Sequence, residues 1–246
     1  MVGTQGIVLR SVWVADSRLL VTLFTRDLGV VSCGVRVSKS ARRGGARALW
    51  QVLSVVDLEV DWRVGRDVQS VREARLAFAW GSMTFHPVKM VVVLFLGEFL
   101  SHALKGEGVN EPLYDFLLNS LRWYDEATEG YASFHLVLLM KLTRFLGFWP
   151  NVMGVAKSVV SEGDVFFDMM NGCFVSSVPA HGQYLGGEES RLLPVLLGMD
   201  YMQMHRVRLS RTERRRMLDV IVCYYRLHVP AFGVLRGLDV LGEIFD

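Results

Sequence analysis

The spacing of hydrophobic residues changes near Trp80, and this change constrains the fold more than any other feature of the chain. Before Trp80, β-branched and aromatic residues form short runs separated by turn residues, as in strands. The runs are TQGIVLRSVWV, SRLLVTLFT, GVVSCGVRV, Leu53–Trp62 and Val68–Phe78. Five strands within residues 1–80 predict an OB-fold barrel, with an SH3-like barrel as the main rival.

Beyond Trp80 the hydrophobic residues recur at helical spacing. Pro87 suits a first helical turn, and Ser210 with Glu213 forms the Ser-x-x-Glu capping box of a long helix. The predicted helices begin at Pro87 and Glu111 and then cover Tyr131–Leu146, Glu188–Met199, Ser210 to about His228, and Val234–Ile244.

The predicted fold class is therefore α+β. A five-stranded OB-fold β-barrel in residues 1–80 is followed by an all-helical C-terminal domain in residues 81–246. Residues 150–187 interrupt the helical domain as an irregular lobe, in which a hairpin is predicted to turn at Asn171-Gly172.

The near balance of 27 basic and 25 acidic residues hides an uneven distribution of charge. Residues 1–80 carry 12 basic and 7 acidic side chains, a net charge of +5, whereas the remainder carries a net charge of −3. A basic front domain on a slightly acidic body suggests that the front domain binds a polyanion.

Three widely separated cysteines, Cys33, Cys173 and Cys223, give no disulfide framework and fit a reducing compartment. The first residues lack the apolar core of a signal peptide. The most apolar run, Met90–Gly97, is far shorter than the ~20 residues that a membrane helix needs. The sequence thus predicts a cytoplasmic protein without membrane association.

The segment SKSARRGGAR, residues 38–47, joins the third and fourth predicted strands. It contains four cations and no acid, and its glycines would let it follow a phosphate backbone. A solvated charged loop is the competing interpretation. A phosphate-binding P-loop is excluded because the order G-x-x-x-x-G-K-[ST] does not occur.

The predicted barrel also carries eight further arginines, which suit bidentate phosphate contacts: Arg10, Arg18, Arg26, Arg36, Arg63, Arg66, Arg72 and Arg75. Several are expected to be ordinary surface charges paired with Asp16, Asp27, Asp57 or Glu73. Trp13, Trp50 and Trp62 could stack on bases, but core filling is the favoured interpretation for at least two of them.

A second basic cluster, Arg211, Arg214, Arg215 and Arg216, opens the long helix. Cations in the first turns oppose the positive end of the helix dipole. A solvated helix start is the default interpretation, but the local cost suggests an acidic group opposite, either from the same fold or from a ligand.

Recognisable catalytic and metal-binding patterns are lacking. The six histidines are scattered, without H-E-x-x-H or G-x-S-x-G, and Cys173 with His181 supplies two ligands where a structural zinc site needs four. No metal is therefore expected. Asp57, Glu59 and Asp61 alternate along one strand and raise the alternative of a Mg²⁺-dependent nuclease, but an exposed barrel face is the simpler explanation.

Several patterns along the chain resemble the RecO family. Near the amino terminus these are Thr4-x-Gly6-Ile7-Val8-Leu9-Arg10, Asp16-Ser17 and Val21-x-Leu23-Phe24-Thr25-x-x-x-Gly29, followed by the basic loop. In the helical part they are Phe116-Leu117-x-Asn119-Ser120-Leu121-x-Trp123, Phe134-His135-Leu136 and Lys141-Leu142-Thr143-x-x-Leu146-Gly147-Phe148-x-Pro150. The closing helices add Tyr224-Tyr225-Arg226-Leu227-His228, Phe232-Gly233, Leu235-Arg236 and Leu238-x-Val240-Leu241.

The resemblance covers nearly the whole chain and implies a nucleoid-associated recombination mediator in DNA repair, not an enzyme. It implies binding of single- and double-stranded DNA, strand annealing and help in loading RecA onto DNA coated by single-strand-binding protein. RecR and the acidic C-terminal tail of the single-strand-binding protein are the implied partners.

Many members of the family carry a four-cysteine zinc motif, but residues 150–187 hold only Cys173, so no cofactor is expected. Without the metal, apolar packing of Phe166, Phe167 and Phe174 should hold the lobe together.

Two sets of candidate site residues follow. The expected phosphate contacts are Lys39, Arg42, Arg43 and Arg47, with Arg10 and Arg36 in support. The expected contacts for the acidic partner tail are Lys141, Arg144, Phe148, Arg211 and Arg215. A protein-interaction scaffold, whose basic loop contacts an acidic protein rather than DNA, remains the alternative function.

Overall fold

A computed structural model describes residues 1–37, 46–152, 165–238 and 241, with the backbone alone for Ala46 and Arg47. It divides into two compact units, which are described separately. Among the described residues, the first unit comprises Met1–Glu126 together with residues 234–238 and 241, and the second comprises Ala127–Gly233.

Five strands of the first unit close into a barrel in the order β1-β2-β3-β5-β4. Their bounds are β1 Val2–Ala15, β2 Arg18–Thr25, β3 Gly29–Arg36, β4 Val55–Asp61 and β5 Val68–Leu76, with helix α1, Ala46–Leu49, before β4. All neighbouring strands are antiparallel except β3 and β5. This order confirms the predicted five-stranded OB-fold barrel.

The barrel interior is filled by alternate residues of its strands, mainly valine and leucine, together with Cys33 and Trp50. Cys33 is fully buried, and burial raises the pKa of its thiol to about 12. The thiol is therefore protonated and serves as a small apolar core residue.

Two helices pack in the same unit as the barrel: α2, Pro87–Ala103, and α3, Glu111–Glu126. Gly97 of α2 makes close packing possible, since a Cβ there would clash with the Val52 side chain and lie 3.2 Å from the carbonyl oxygen of Leu9 in β1. The Tyr114 hydroxyl of α3 donates to Gln5 Oε1 of β1 at 3.2 Å.

A network of polar contacts joins the end of α3 to the segment before α2. The Asp125 carboxylate accepts backbone N–H groups of Gly81, Ser82 and Met83, each at 2.7 Å. The buried Lys89 ammonium donates to Ser82 Oγ and to the carbonyl oxygens of Tyr124 and Asp125. Burial raises the pKa of Asp125, but the three N–H groups and Lys89 together hold it below its ordinary value.

Within its described residues, the second unit contains three helices and a small sheet. The helices are α4 Phe134–Phe145, α5 Gly187–Gly198 and α6 Arg211–His228, with a 3₁₀ turn at Met204–Arg206. The sheet has the order β7-β6-β8, from β6 Phe166–Asp168, β7 Cys173–Val175 and β8 Tyr184–Leu185. Strands β6 and β7 form the hairpin predicted at Asn171-Gly172, and Gly172 has the positive φ that its turn requires.

Aromatic packing holds the described part of the lobe together, as predicted. The ring centroids of Phe167 and Phe174 lie 5.0 Å apart, and Phe166 meets Tyr184 at 5.7 Å. Phe167 also packs against Tyr224 of α6. Residues 153–164 of the lobe lie outside the described residues.

The predicted capping box is confirmed, because the Ser210 hydroxyl and the Glu213 carboxylate each accept the other residue's backbone N–H. The predicted last helix over 234–244 lies partly outside the described residues. Within this range, Gly237, Leu238 and Leu241 are described as helical. Within the described part of the chain, no helix combines the length and hydrophobicity needed to cross a bilayer.

Candidate nucleic-acid interface

An arginine-lined groove of about 1120 Å³ opens on the barrel, along β2, β3 and β5 and the turn between β4 and β5. We call it the basic groove. Five arginines line it: Arg18, Arg36, Arg63, Arg66 and Arg72.

Strand register explains why arginines that are distant in sequence meet at this groove. Arg18 of β2 and Arg36 of β3 are direct cross-strand partners. The parallel pairing of β3 with β5 ends at Gly34 and Ser70, so Arg36 and Arg72 both lie two residues beyond the last pair. Three neighbouring strands therefore each contribute an arginine at the same end of the barrel.

The turn that carries Arg63 and Arg66 is held by Gln69, which is buried at the start of β5. The Gln69 side-chain amide donates to the carbonyl oxygens of Arg63 and Arg66 at 3.0 and 2.7 Å, and its oxygen accepts the Arg63 backbone N–H at 2.9 Å. These bonds fix the turn backbone and leave both guanidinium groups exposed.

Cations exceed carboxylates in the basic groove. Asp61 is the one acidic residue among its described lining residues, and it lies 3.3 Å from Arg63 and 3.8 Å from Arg72. Arg18, Arg36 and Arg66 are exposed and form no ion pair within the described residues. The groove thus offers three uncompensated guanidinium groups to an anion.

The described residues that flank the predicted basic loop lie beside this groove. Val37, the last described residue before the loop, lines the groove, as does Leu49 of α1. Lys39, Arg42 and Arg43 lie outside the described residues, and Arg47 is described by its helical backbone alone. Their role as the main phosphate contacts stays a prediction.

The two supporting arginines occupy different places. Arg36 lines the basic groove. Arg10 is exposed on β1 opposite Thr22, beside an irregularity in the strand pairing, and is not among the lining residues. The structure therefore brings Arg36, but not Arg10, together with the other groove arginines.

Sequence reasoning did not select Arg18, Arg63, Arg66 and Arg72 as phosphate contacts, although all four were recognised as barrel cations. The missing signal was the register between strands, which single-residue patterns do not carry.

The expected pairing with carboxylates is found for Arg75, whose Nε lies 3.4 Å from Asp57. Arg26 pairs instead with Asp115 of α3, at 2.8 Å.

Core filling is favoured by the sequence for at least two of the three tryptophans, and the structure shows it for one. Trp50 is buried in the barrel core, but Trp13 and Trp62 are 49% and 38% exposed. Trp13 lies beside a shift in the pairing of β1 with β2, and Trp62 follows the end of β4. In both places the regular alternation of inward and outward side chains ends.

The three acidic residues of β4, Asp57, Glu59 and Asp61, lie on the outer face of the barrel, and none of them is buried. Asp57 accepts from Gln5 Nε2 at 2.8 Å, and Asp61 is held by Arg63 and Arg72. Among residues 1–37, 46–152, 165–238 and 241, no three His, Cys, Asp or Glu side chains are grouped so that they could hold a metal ion.

Three of the predicted partner-tail contacts lie along α4 and just beyond it. Lys141 Nζ is 3.5 Å from Asp200 and also lies over the ring of Tyr201. Arg144 lies over the ring of Trp149. Phe148 stacks on His228 with an interplanar angle of 7°.

The other two contacts, Arg211 and Arg215, lie at the start of α6. Burial lowers the pKa of His135, and the positive charge of neighbouring Arg214 lowers it further, so the start of α6 lies near the first turn of α4. Phe148 instead contacts His228, at the opposite end of α6. The five residues therefore do not converge on one site.

The acidic group predicted opposite the arginine cluster is present within the fold. Glu188 of α5 lies 2.7 Å from Arg216. Arg214 instead donates to the carbonyl oxygen of Leu209 at 2.6 Å, and burial lowers its pKa. At least part of this cluster is therefore structural.

The chain matches two family descriptions in succession. Residues 1–80 match "Recombination protein O N terminal", and residues 85–234 match "Recombination protein O C terminal". Proteins named DNA repair protein RecO are similar over almost their whole length. The one from Phocaeicola vulgatus is 39% identical over 243 residues, covering 99% of this chain and 98% of the relative. Those from Bacteroides fragilis and Porphyromonas gingivalis are 38% and 34% identical, with 98% and 100% of each relative covered.

Proposed function

Because the chain belongs to the RecO family of DNA repair proteins, we propose that it binds DNA, anneals complementary strands and helps load RecA onto DNA coated by single-strand-binding protein. The observation that supports DNA binding most directly is the basic groove, where Arg18, Arg36 and Arg66 have no carboxylate partner among the described residues.

Annealing requires no catalytic group. Two single strands repel each other through their phosphates and rarely meet in alignment. A protein surface that neutralises phosphates lowers the repulsion, and holding both strands raises their local concentration. A cluster of guanidinium groups suffices for this role, and no covalent chemistry is proposed.

The proposed phosphate contacts combine the basic loop with the basic groove. Lys39, Arg42, Arg43 and Arg47 supply the loop contacts, with Arg36 and Arg10 in support. Arg18 and Arg66 extend the contact surface across the end of the barrel. Because none of these groups needs to face a base edge, binding should be indifferent to sequence.

One partner is assigned to the second unit as part of the same proposal. The acidic tail of the single-strand-binding protein would meet Lys141, Arg144 and Phe148, where a cation and aromatic rings adjoin. Binding there requires the tail to replace Asp200 as the partner of Lys141. RecR is the second proposed partner, without an assigned surface.

The test is an annealing assay with complementary strands that have been coated with the cognate single-strand-binding protein. A groove variant removes three arginines that lack a carboxylate partner: Arg18→Ala, Arg36→Ala and Arg66→Ala. A matched control removes three exposed arginines of the second unit: Arg191→Ala, Arg208→Ala and Arg226→Ala. We expect the groove variant to bind oligonucleotides at least about tenfold more weakly and to anneal more slowly, since three phosphate contacts are lost.

Equal losses in the two variants would show that overall charge, rather than the groove, controls binding. If the unaltered protein failed to bind plain oligonucleotides at low salt, DNA binding and annealing would both be ruled out. The scaffold alternative would then stand.

A further inference from the structure

A second groove, of about 890 Å³, lies in the same unit between β1 and α2. We call it the apolar groove. Trp13 and Val14 of β1 form one side, and Met90, Val93 and Leu94 of α2 form the other. Asp16 is the one charged residue among its described lining residues.

The apolar groove adjoins the basic groove along a shared wall. Four residues line both grooves: Val14, Leu19, Val37 and Trp50. One side of this wall therefore presents guanidinium groups, and the other presents an indole, a thioether and aliphatic side chains. A ligand that covers the wall must be anionic on one side and apolar on the other.

An irregular strand pairing sets the position of Trp13. The register of β1 against β2 shifts between Trp13 and Ala15, so Val14 is the extra residue of a bulge. As a result the consecutive residues Trp13, Val14 and Ala15 all line the apolar groove, which a regular strand would not allow. The indole is 49% exposed, and Met90 and Leu94 opposite it are 41% and 55% exposed.

Single-stranded DNA has the required combination of surfaces. Its phosphates are anionic, and its unpaired bases expose flat apolar faces within one nucleotide of them. In a duplex the base faces are stacked inside the helix and could not reach Trp13 while the phosphates remained at the arginines. An apolar peptide would fill the apolar groove without using the neighbouring cations.

We infer that the apolar groove binds the bases of single-stranded DNA, with Trp13 as the stacking platform, while the phosphates of the same strand lie along Arg18, Arg36 and Arg66. This inference rests on the proposed DNA-binding function and adds to it a preference of this surface for single strands over duplex.

The experiment compares the affinity of the full-length chain for a fluorescent oligothymidine strand and for a duplex of equal length. Trp13→Ala should weaken binding of the single strand roughly 5- to 150-fold, the range expected for the loss of one stacked base, and should leave duplex binding within about twofold. Trp13→Phe should keep most of the affinity because a phenyl ring still stacks.

Trp62→Ala is the matched control, since Trp62 is an exposed indole of the same barrel that lines neither groove. It should bind both DNAs as the unaltered protein does. Leu94→Glu supplies a second variant, because it places a negative charge opposite Trp13. It should also weaken single-strand binding, whereas Met202→Glu, at an exposed site of the second unit, should not.

Tryptophan emission gives a readout that a merely structural role of Trp13 would not change. Oligothymidine should quench part of the emission of the unaltered protein, and Trp13→Phe should lose that part while still binding. Full single-strand affinity in Trp13→Ala would overturn the inference, and so would equal losses for single strand and duplex. Failure of the proposed function is distinct, because the unaltered protein would then bind neither DNA.

Discussion

Arg18 and Arg66 differ from Arg63 and Arg72 in their neighbours rather than in their exposure. All four side chains are exposed on the barrel, but Asp61 lies within 4 Å of the latter two. An exposed ion pair contributes little to stability, yet it reduces the charge that an arginine presents to a phosphate. The availability of each cation therefore depends on strand pairing and cannot be deduced from composition.

His135 provides a residue-scale prediction about pH. Burial lowers its pKa from 6.5 to about 3, with a further contribution from Arg214. As the pH falls below 6.5, the unfolded chain takes up a proton that the folded chain does not, so the folded state loses stability. Between pH 7.5 and pH 5 this group should cost about 2 kcal/mol of the free energy of unfolding.

The measurement is urea unfolding of the unaltered protein and of His135→Phe at both pH values. Phenylalanine fills a similar volume but does not titrate. The unaltered protein should therefore lose about 2 kcal/mol more than the variant between pH 7.5 and pH 5. Equal losses would contradict the buried, neutral state of His135.

Residues were predictable from sequence where their role is local. The capping box of Ser210 and Glu213 involves neighbours along the chain, and it is found as expected. The exposure of Trp13 and Trp62 depends on where strands shift or end, and the preference for buried aromatic residues led to the wrong expectation. Both failures concern the same property, the side of the barrel that a residue faces.

At the scale of elements, the connection between α3 and the segment before α2 depends on Asp125. Asp125→Ala removes the acceptor of three backbone N–H groups and a carboxylate whose negative charge favours the charged form of Lys89. These N–H groups, of which those of Ser82 and Met83 are partly buried, would lose their acceptor, so we expect a loss of about 1–3 kcal/mol in the free energy of unfolding.

Asp115→Ala is the matched control, because it removes another carboxylate of α3. Asp115 pairs with Arg26 where the side chains are 44% and 39% exposed, and such surface pairs contribute about 1 kcal/mol or less. Denaturant unfolding compares the two variants directly. Similar losses would mean that Asp125 acts as an ordinary surface charge.

Strand and helix interiors followed from hydrophobic spacing, but several ends did not. The fourth strand was predicted from Leu53 and begins at Val55, because Leu53 adopts a positive φ that no strand accommodates. The third helix was predicted from Tyr131 and begins at Phe134, after Gly130 turns the chain with a φ of +71°. Positive φ angles at single residues such as these are set by packing and are not encoded in the spacing of hydrophobic residues.

For the whole molecule, the uneven charge predicts how DNA affinity depends on salt. If ~4–6 phosphates of a single strand are neutralised, the slope of log affinity against log salt should be roughly −3 to −4. Replacing Lys39, Arg42, Arg43 and Arg47 by alanine should weaken binding and flatten the slope. Filter binding over a range of salt concentrations measures both quantities, and an unchanged slope would place the DNA site elsewhere.

The division of the chain illustrates what sequence alone cannot provide at this scale. The change of hydrophobic period at Trp80 separates strands from helices, and the OB-fold barrel followed from it. The compact unit that contains the barrel nevertheless extends to Glu126, since α2 packs against β1 and α3 contacts β1 through Tyr114. A domain boundary at residue 80 stays a prediction, because a change of period marks the end of a sheet rather than the end of a packed core.

The shielding of Cys33 inside the barrel has a practical consequence for spectroscopy. Its thiol is buried and strongly resists deprotonation, whereas Cys173 and Cys223 are partly exposed and both belong to the second unit. A maleimide dye should therefore attach to the second unit of the native chain without any engineered cysteine, and the barrel, which we propose binds DNA, should remain free of fluorophore.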